Sequence, residues 1–235
     1  MPTGAGKLAI AGALVAILSG HAHAQCRLSL ALGLDVSSSV NQSEYQLQLM
    51  GLAAAIESPK VVEALLVDET THVMSITYEW SGYSHQVQVT GWHRLDSEAA
   101  IGSYAATLRR HIRSRSDQAT ALGKGVEFGG RLLADGPDCW RRTLDISGDG
   151  VNNIGIDPYY FYRQPYFQDI TVNGLAILGA HPDPLPYYQQ QVKNGPEAFI
   201  AIAANFDDYR RAIEEKLYRE ITTQLFLGAA EVDKE

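Results

Sequence analysis

Residues 28–34, Leu-Ser-Leu-Ala-Leu-Gly-Leu, are almost wholly apolar and stop at once on a carboxylate, Asp35. A short apolar run bounded by polar residues is consistent with a strand covered on both faces. The segment beyond it is unusual for the end of such a strand. Asp35-Val36-Ser37-Ser38-Ser39 offers one carboxylate and three hydroxyls, with no glycine-rich turn between them.

The rest of the chain alternates. Gln42 to Glu57 reads as a helix with Leu47, Met50 and Ala54 near one face, ended by Ser58-Pro59, and Val61 to Leu66 is a second short apolar turn. His72–Trp80 and Gln86–Trp92 are rich in strand formers, and the Ser81-Gly82 between them predicts a hairpin at one sheet edge. Helical spacing returns over Asp96–Arg113 and Ala121–Leu133, and further strands are expected over Arg141–Ser147, Ile170–Leu178 and Phe199–Ala203. Val151–Asp169 reads as a loop or short helix, and His181–Pro186 as a rigid loop. In Asp207–Leu225 the apolar residues Tyr209, Ile213, Leu217, Ile221 and Leu225 recur every four, the spacing of an amphipathic helix.

This order calls for an α/β fold: a doubly wound, mostly parallel central sheet with one antiparallel edge strand and helices on both faces. With 235 residues, 46% of them apolar, one domain with a substantial core fits better than two. In such sheets ligands bind beyond the carboxyl ends of the strands, where the strand order reverses. Attention falls on Asp35 and on Asp149, which lies just beyond the Arg141–Ser147 strand.

Residues 1–24 are set apart. Lys7 precedes an alanine-rich apolar stretch from Leu8 to Leu18, and Ala22-His23-Ala24 fits a small-x-small cleavage pattern, so a signal peptide with cleavage before Gln25 is expected. The mature chain, residues 25–235, is then a single exported domain, periplasmic or secreted, with no later stretch apolar enough to span a bilayer. An oxidising compartment permits a bridge between the two cysteines, Cys26 and Cys139, with free buried thiols as the alternative. A formal charge of −8 gives no support to nucleic-acid binding. The one basic cluster, Arg109 to Arg115, reads as a solvated helix end.

Asp35, Ser37 and Ser39 alternate, so a turn after the strand can bring their oxygens to one side. One carboxylate with two hydroxyls is a hard-oxygen set suited to Mg²⁺ or Mn²⁺; zinc is disfavoured because no His or Cys lies in the cluster. Two more donors stand at element boundaries: Thr120, before the Ala121–Leu133 helix, and Asp149. Capping of a helix and a turn by Asp35 and Ser39 is the structural alternative.

Together these residues resemble the metal-ion-dependent adhesion site of von Willebrand factor A-like domains, which reads Asp-x-Ser-x-Ser, then a loop threonine, then an aspartate usually followed by glycine. The matching positions are Asp35, Ser37, Ser39, Thr120 and Asp149-Gly150. Residues 147–153, residues 170–177 and the closing helix look like an uncharacterised family of exported bacterial proteins with that fold. The resemblance runs from about Leu28 to Leu225. It implies direct ligation of a divalent cation by Ser37 and Ser39, with Asp35, Thr120 and Asp149 direct or through water. One coordination position is left for the carboxylate of a protein or peptide partner. The implied fold also sets the strands of Cys26 and Cys139 side by side, so a Cys26–Cys139 disulfide is expected at the sheet end opposite the metal.

The alternatives are a metal-assisted hydrolase and a metal-independent scaffold. Catalysis needs a placed base or nucleophile as well. No Gly-x-Ser-x-Gly elbow is present, Gly4-Ala5-Gly6-Lys7 falls inside the export signal, and His181 stands beside prolines. No sequence pattern sets an oligomeric state. Asp145, deeper in its strand than Asp149, is expected to organise nearby loops or the cation's outer partners. The aromatic stretch Asp157–Phe167 is divided between packing and partner contact.

Overall fold

The computed structural model describes residues 24–114 and 119–232, with side chains of the last helix described through residue 223. The export signal therefore lies outside the described residues, Ala24 apart, as does Arg115 of the basic cluster.

β1 (Gln25–Asp35) is buried from Arg27 onward, as its apolar run requires. It pairs in parallel with β2 (Thr71–Trp80) on one side and with β5 (Arg142–Gly148) on the other. β6 (Ile170–Ile177) and β7 (Ile200–Ala203) extend the parallel sheet beyond β5. At the other edge β3 (Gln86–Gln88) and β4 (His93–Leu95) both pair antiparallel with β2, giving the order β3-β2-β1-β5-β6-β7 with β4 also on β2. The chain leaves β1 toward β2 and later returns to its other side as β5. The order thus reverses between β1 and β5, the place where a doubly wound sheet opens a crevice.

Helices cover both faces. α1 (Gln42–Ile56), α2 (Pro59–Leu66), α3 (Glu98–Arg110) and α7 (Tyr209–Val232) close one side over Leu28, Leu30, Leu32 and Leu34. α4 (Leu122–Ala134) closes the other over Ala31, Ile76, Leu144 and Ile146, with the short α5 (Pro158–Phe161) beside it. Asn41 caps α1 reciprocally with Glu44. The buried Arg27 guanidinium donates to the last carbonyls of α2, from Ala64 at 2.7 Å and Leu65 at 3.2 Å. α4 carries glycines where it meets aromatic rings: a Cβ on Gly125 would lie 2.7 Å from Trp80, and one on Gly129 2.5 Å from the Tyr78 hydroxyl. That close approach lets Tyr78 donate to the Gly125 carbonyl at 2.8 Å.

Two local expectations change. The edge strand expected to run to Trp92 stops at Gln88, because the Val89 and Thr90 amides both donate to the Thr77 carbonyl. Thr90 Oγ1 accepts from the Thr77 amide as well, so the chain kinks before β4 resumes pairing. The loop expected over His181–Pro186 becomes α6 (Pro184–Tyr187), running into a five-residue π-helical turn over Tyr188–Val192. Asp183 caps it through the Leu185 amide at 2.9 Å, Pro184 starts it, and burial of Tyr188 and Val192 holds it.

Cys26 and Cys139 form a disulfide at the starts of the β1 and β5 region, with Cα atoms 4.6 Å apart. Asp35 stands at the far end of β1. Among the described residues no helix is long and apolar enough to cross a membrane.

Candidate metal centre

Leu34 pairs with Ser147, so Asp35 comes to lie beside Gly148 where β1 and β5 end. Asp35 is fully buried. Its Oδ1 accepts the Ser37 amide at 2.7 Å, folding the chain into a tight turn. Ser37 Oγ is 3.1 Å from Ser39 Oγ, and Ser39 Oγ donates to Asp149 Oδ1 at 2.8 Å. Four of the five expected residues thus stand in one hydrogen-bonded chain. Val36, between them, turns into the core, and Ser38 faces solvent.

Thr120 arrives from the start of α4. Its amide donates to Asn153 Oδ1 and its carbonyl accepts the Asn153 amide, each at 2.9 Å, pinning it to the loop after Asp149. Its Oγ1 is 3.6 Å from where a Cβ on Gly150 would stand. The Thr120 hydroxyl makes no hydrogen bond to the other four residues in this arrangement. Gly148 is also required here: a Cβ on it would meet Asp35 Oδ2 at 2.8 Å and the Tyr188 hydroxyl at 2.6 Å.

The electrostatics leave something unbalanced. Burial, and then the neighbouring Asp149, push the Asp35 carboxyl up to about 7. Burial raises Asp149 too, partly offset by the Ser39 hydrogen bond. Asp35 Oδ2 is buried without a hydrogen-bond partner among the described residues, an arrangement that costs free energy unless a proton or cation meets it. Two carboxylates, one of them with an unpartnered oxygen, and three hydroxyls make a donor set that fits a hard divalent cation. Among the described residues no three His, Cys, Asp or Glu side chains gather closely enough to hold a metal, so any cation here depends on the hydroxyls.

Several supporting residues carry no signal in the sequence. Gln48 of α1 donates to the Asp35 carbonyl at 3.1 Å. Arg113, from the cluster read as solvated, turns inward and donates to the Val36 and Ser37 carbonyls at 3.0 and 3.2 Å. Its segment is anchored on the fully buried Glu79 of β2, which bonds His111 Nε2 at 3.0 Å and Ser114 Oγ at 2.7 Å and accepts the Tyr45 hydroxyl. Finding them needs knowledge of how α1, β2 and the end of α3 meet. Asp145 departs from its expected role. Instead of supporting the centre it lies 2.8 Å from Lys216 Nζ of α7, because its side chain enters the core under that helix. The aromatic stretch divides: Phe167 is buried, while Tyr159 and Tyr160 are exposed.

Solved structures share this architecture. Von Willebrand factor type A from Catenulispora acidiphila superposes with a TM-score of 0.56 at 15% identity, over 84% of this chain and 43% of that one. The pilus adhesin SpaC from Lactobacillus rhamnosus GG gives 0.59 at 12% identity, over 85% and 31%. Proximal thread matrix protein 1 from the mussel byssus, with a zinc-occupied MIDAS motif, gives 0.57 at 15% identity, over 85% and 47%. The chain spans less than half the length of each. No curated protein matches the sequence. Residues 25–225 match the family described as protein of unknown function (DUF1194), and the chain belongs to that family.

Proposed function

We propose that this protein is an exported binding module whose partner is held through a divalent cation at the Asp35–Asp149 centre. The observation that carries this reading is the buried, unpartnered Asp35 Oδ2 beside a second raised carboxylate. Ser37, Ser39, Asp35, Thr120 and Asp149 would hold the ion, Mg²⁺ or Mn²⁺ by its oxygen set. When bound, the ion supplies a Lewis-acidic position that a carboxylate from outside can complete.

The protein's own residues then have distinct tasks. Asp35 supplies charge while its Oδ1 shapes the turn. Asp149 orients Ser39 through the 2.8 Å hydrogen bond. Arg113 and Gln48 fix the turn through its carbonyls. Two carboxylates no more than balance a divalent ion and the other donors are neutral hydroxyls, so an incoming anion meets no excess of negative charge at the ion. The partner we infer is a protein or peptide presenting Asp or Glu. Fold likeness to a pilus adhesin and to a protein with a zinc-occupied MIDAS motif is consistent with that reading. Export is supported by the Cys26–Cys139 disulfide, which an oxidising compartment sustains; cleavage before Gln25 and a single mature domain over residues 25–235 belong to the same proposal.

The test is titration of the processed protein with Mg²⁺ and Mn²⁺, comparing wild type with Asp35→Ala and Asp149→Ala. Saturable wild-type binding that both substitutions weaken is expected. Equal binding by all three proteins would overturn the assignment.

A further inference from the structure

A second cluster lies deep between β6 and α7 and has no part in the metal centre. Lys216 and Asp145 are each 1% exposed, and Glu220 and Asn173 each 3%. Lys216 Nζ is 2.6 Å from Glu220 Oε1 and 2.8 Å from Asp145 Oδ2. The same Glu220 oxygen accepts Asn173 Nδ2 at 2.7 Å, so the amine and the amide nitrogen meet on one carboxylate oxygen. The other end of the amide is also fixed. Asn173 Oδ1 accepts the Phe199 backbone amide at 3.0 Å. Because that group can only donate, the orientation of the Asn173 side chain is settled.

Three carboxylate or ammonium groups buried together are expensive to maintain unless every one is paired. Here the pairing is incomplete: Lys216 Nζ serves Glu220 Oε1 and lies against Asp145 Oδ2, while Asp145 Oδ1 and Glu220 Oε2 have no hydrogen-bond partner among the described residues. What the geometry does provide is every group needed for an acyl transfer. There is an amine, a carboxamide with its oxygen on a backbone N–H, and a carboxylate touching both nucleophile and leaving group.

We propose that Lys216 and Asn173 form an intramolecular amide cross-link that ties α7 to β6, with Glu220 as the proton carrier. Lys216 gives one ammonium proton to Asp145 and attacks Asn173 Cγ as the free amine. The Nζ–Cγ bond forms, and the charge developing on Oδ1 meets the Phe199 N–H. Glu220 takes the second proton from Nζ and passes it to Nδ2. The Cγ–Nδ2 bond breaks, ammonia leaves, and the proton held on Asp145 converts it to ammonium. Lysine ammonium plus carboxamide has become a secondary amide plus ammonium, with no oxidant or other co-reactant. Burial pushes the Asp145 carboxyl up to about 7, against the pull of Lys216 and with the push of Glu220, which suits it to hold that proton. A cavity of about 910 Å³ lined by Asn173, Phe199 and Glu220 gives the ammonia a way out.

The test is a tryptic map of processed, reduced and unfolded wild-type protein by tandem mass spectrometry. The expected product is one branched peptide joining Gln164–Lys193 to Ala212–Arg219, uncut after Lys216 and lighter by one ammonia than the two together. Its share should grow on incubation at neutral pH. It should be absent from Lys216→Arg and form about a hundredfold more slowly in Glu220→Gln. In Asn173→Asp the same bond should form with loss of water. Recovery of the two segments only as separate linear peptides, with cleavage after Lys216 even after long incubation, would overturn the proposal. So would an ammonia loss that maps to cyclised Gln25 or to an imide at Asn173-Gly174. Both leave linear peptides.

Discussion

Arg113 donates its Nη2 to the carbonyl oxygen of Ser37 from 3.2 Å, although the two are 76 residues apart. The same nitrogen serves the Val36 carbonyl at 3.0 Å, and the guanidinium lies over the Tyr45 ring. One planar group therefore fixes the turn that presents Ser37 and Ser39. Hydrogen bonds from a charged donor are worth about 1.5–3 kcal/mol each, less with partial exposure. Arg113→Ala should weaken Mg²⁺ binding by about tenfold, read by calorimetric titration, with the far-ultraviolet circular dichroism unchanged. Arg113→Lys should recover only part of it, because an ammonium lacks the planar NH₂ whose two hydrogens serve both carbonyls.

Asp35 illustrates a conflict between stability and binding. Its charge is buried, one oxygen has no partner, and Asp149 repels it. Asp35→Asn keeps the acceptor for the Ser37 amide and removes the charge. In the absence of divalent ions the variant should be more stable than wild type by about 1–3 kcal/mol. Added Mg²⁺ should then stabilise wild type alone, by about 2.7 kcal/mol at a hundredfold excess over Kd. Urea melts with and without Mg²⁺ read both signs. A variant that still gains stability from Mg²⁺ would contradict the role given to this carboxylate.

The disulfide acts elsewhere. Cys26 and Cys139 enclose a separation of 113 residues at the end of the sheet remote from Asp35. The chain-entropy estimate for so long a loop is about 4–5 kcal/mol, an upper figure. Reduction, or Cys139→Ser with Cys26→Ser, should lower the urea midpoint strongly. Mg²⁺ affinity, measured where both forms remain folded, should change by less than about twofold.

Asp208 supplies an acid-side signature. It receives Arg211 Nε at 2.6 Å, Arg211 Nη2 at 2.7 Å and the Ala204 amide at 2.9 Å, and these bonds hold its carboxyl down at about 2. The unfolded value is near 3.8. The folded state therefore favours the ionised form, so this stabilisation is present above about pH 4 and is lost as pH falls toward about 2. Allowing for screening at a partly exposed site, it should amount to about 1 kcal/mol. Asp208→Asn should lose that much at neutral pH, and its urea midpoint should fall less steeply than the wild-type midpoint over the same acid range.

Local patterns carried most of the fold. The apolar run before Asp35 fixed a buried strand, and four-residue spacing from Tyr209 to Ile221 fixed the closing helix. Asp35, Ser37 and Ser39 were legible because one turn gathers them, and Asp149 because it lies just beyond a strand that pairs with β1. Long-range pairings were not. Lys216 reads as one more charge on an amphipathic helix until α7 is laid over β5 and β6, where it meets Asp145. Arg113 reads as a solvated helix end until Glu79 draws its segment inward. Helix α6 was hidden because proline stops helices in their interior yet starts them in their first turn.

Gly148, at the end of β5, lies against the Asp35 side chain of β1, and its missing side chain is a requirement of the site. A methyl there would stand 2.8 Å from Asp35 Oδ2 and 2.6 Å from the Tyr188 hydroxyl, both buried groups. Neither can yield easily: Asp35 is held by the Ser37 amide, and Tyr188 is fully buried in the π-helical turn. Gly148→Ala should therefore destabilise the protein by about 1–3 kcal/mol through overpacking. Because the displaced oxygen is the one left for a cation, Mg²⁺ affinity should fall by more than about tenfold. Gly179→Ala is the control, since a Cβ there meets nothing within 4 Å although its φ of +110° makes it strained. It should lower stability while leaving Mg²⁺ affinity unchanged. If Gly148→Ala bound Mg²⁺ as tightly as wild type, the cation would have to sit away from Asp35 Oδ2.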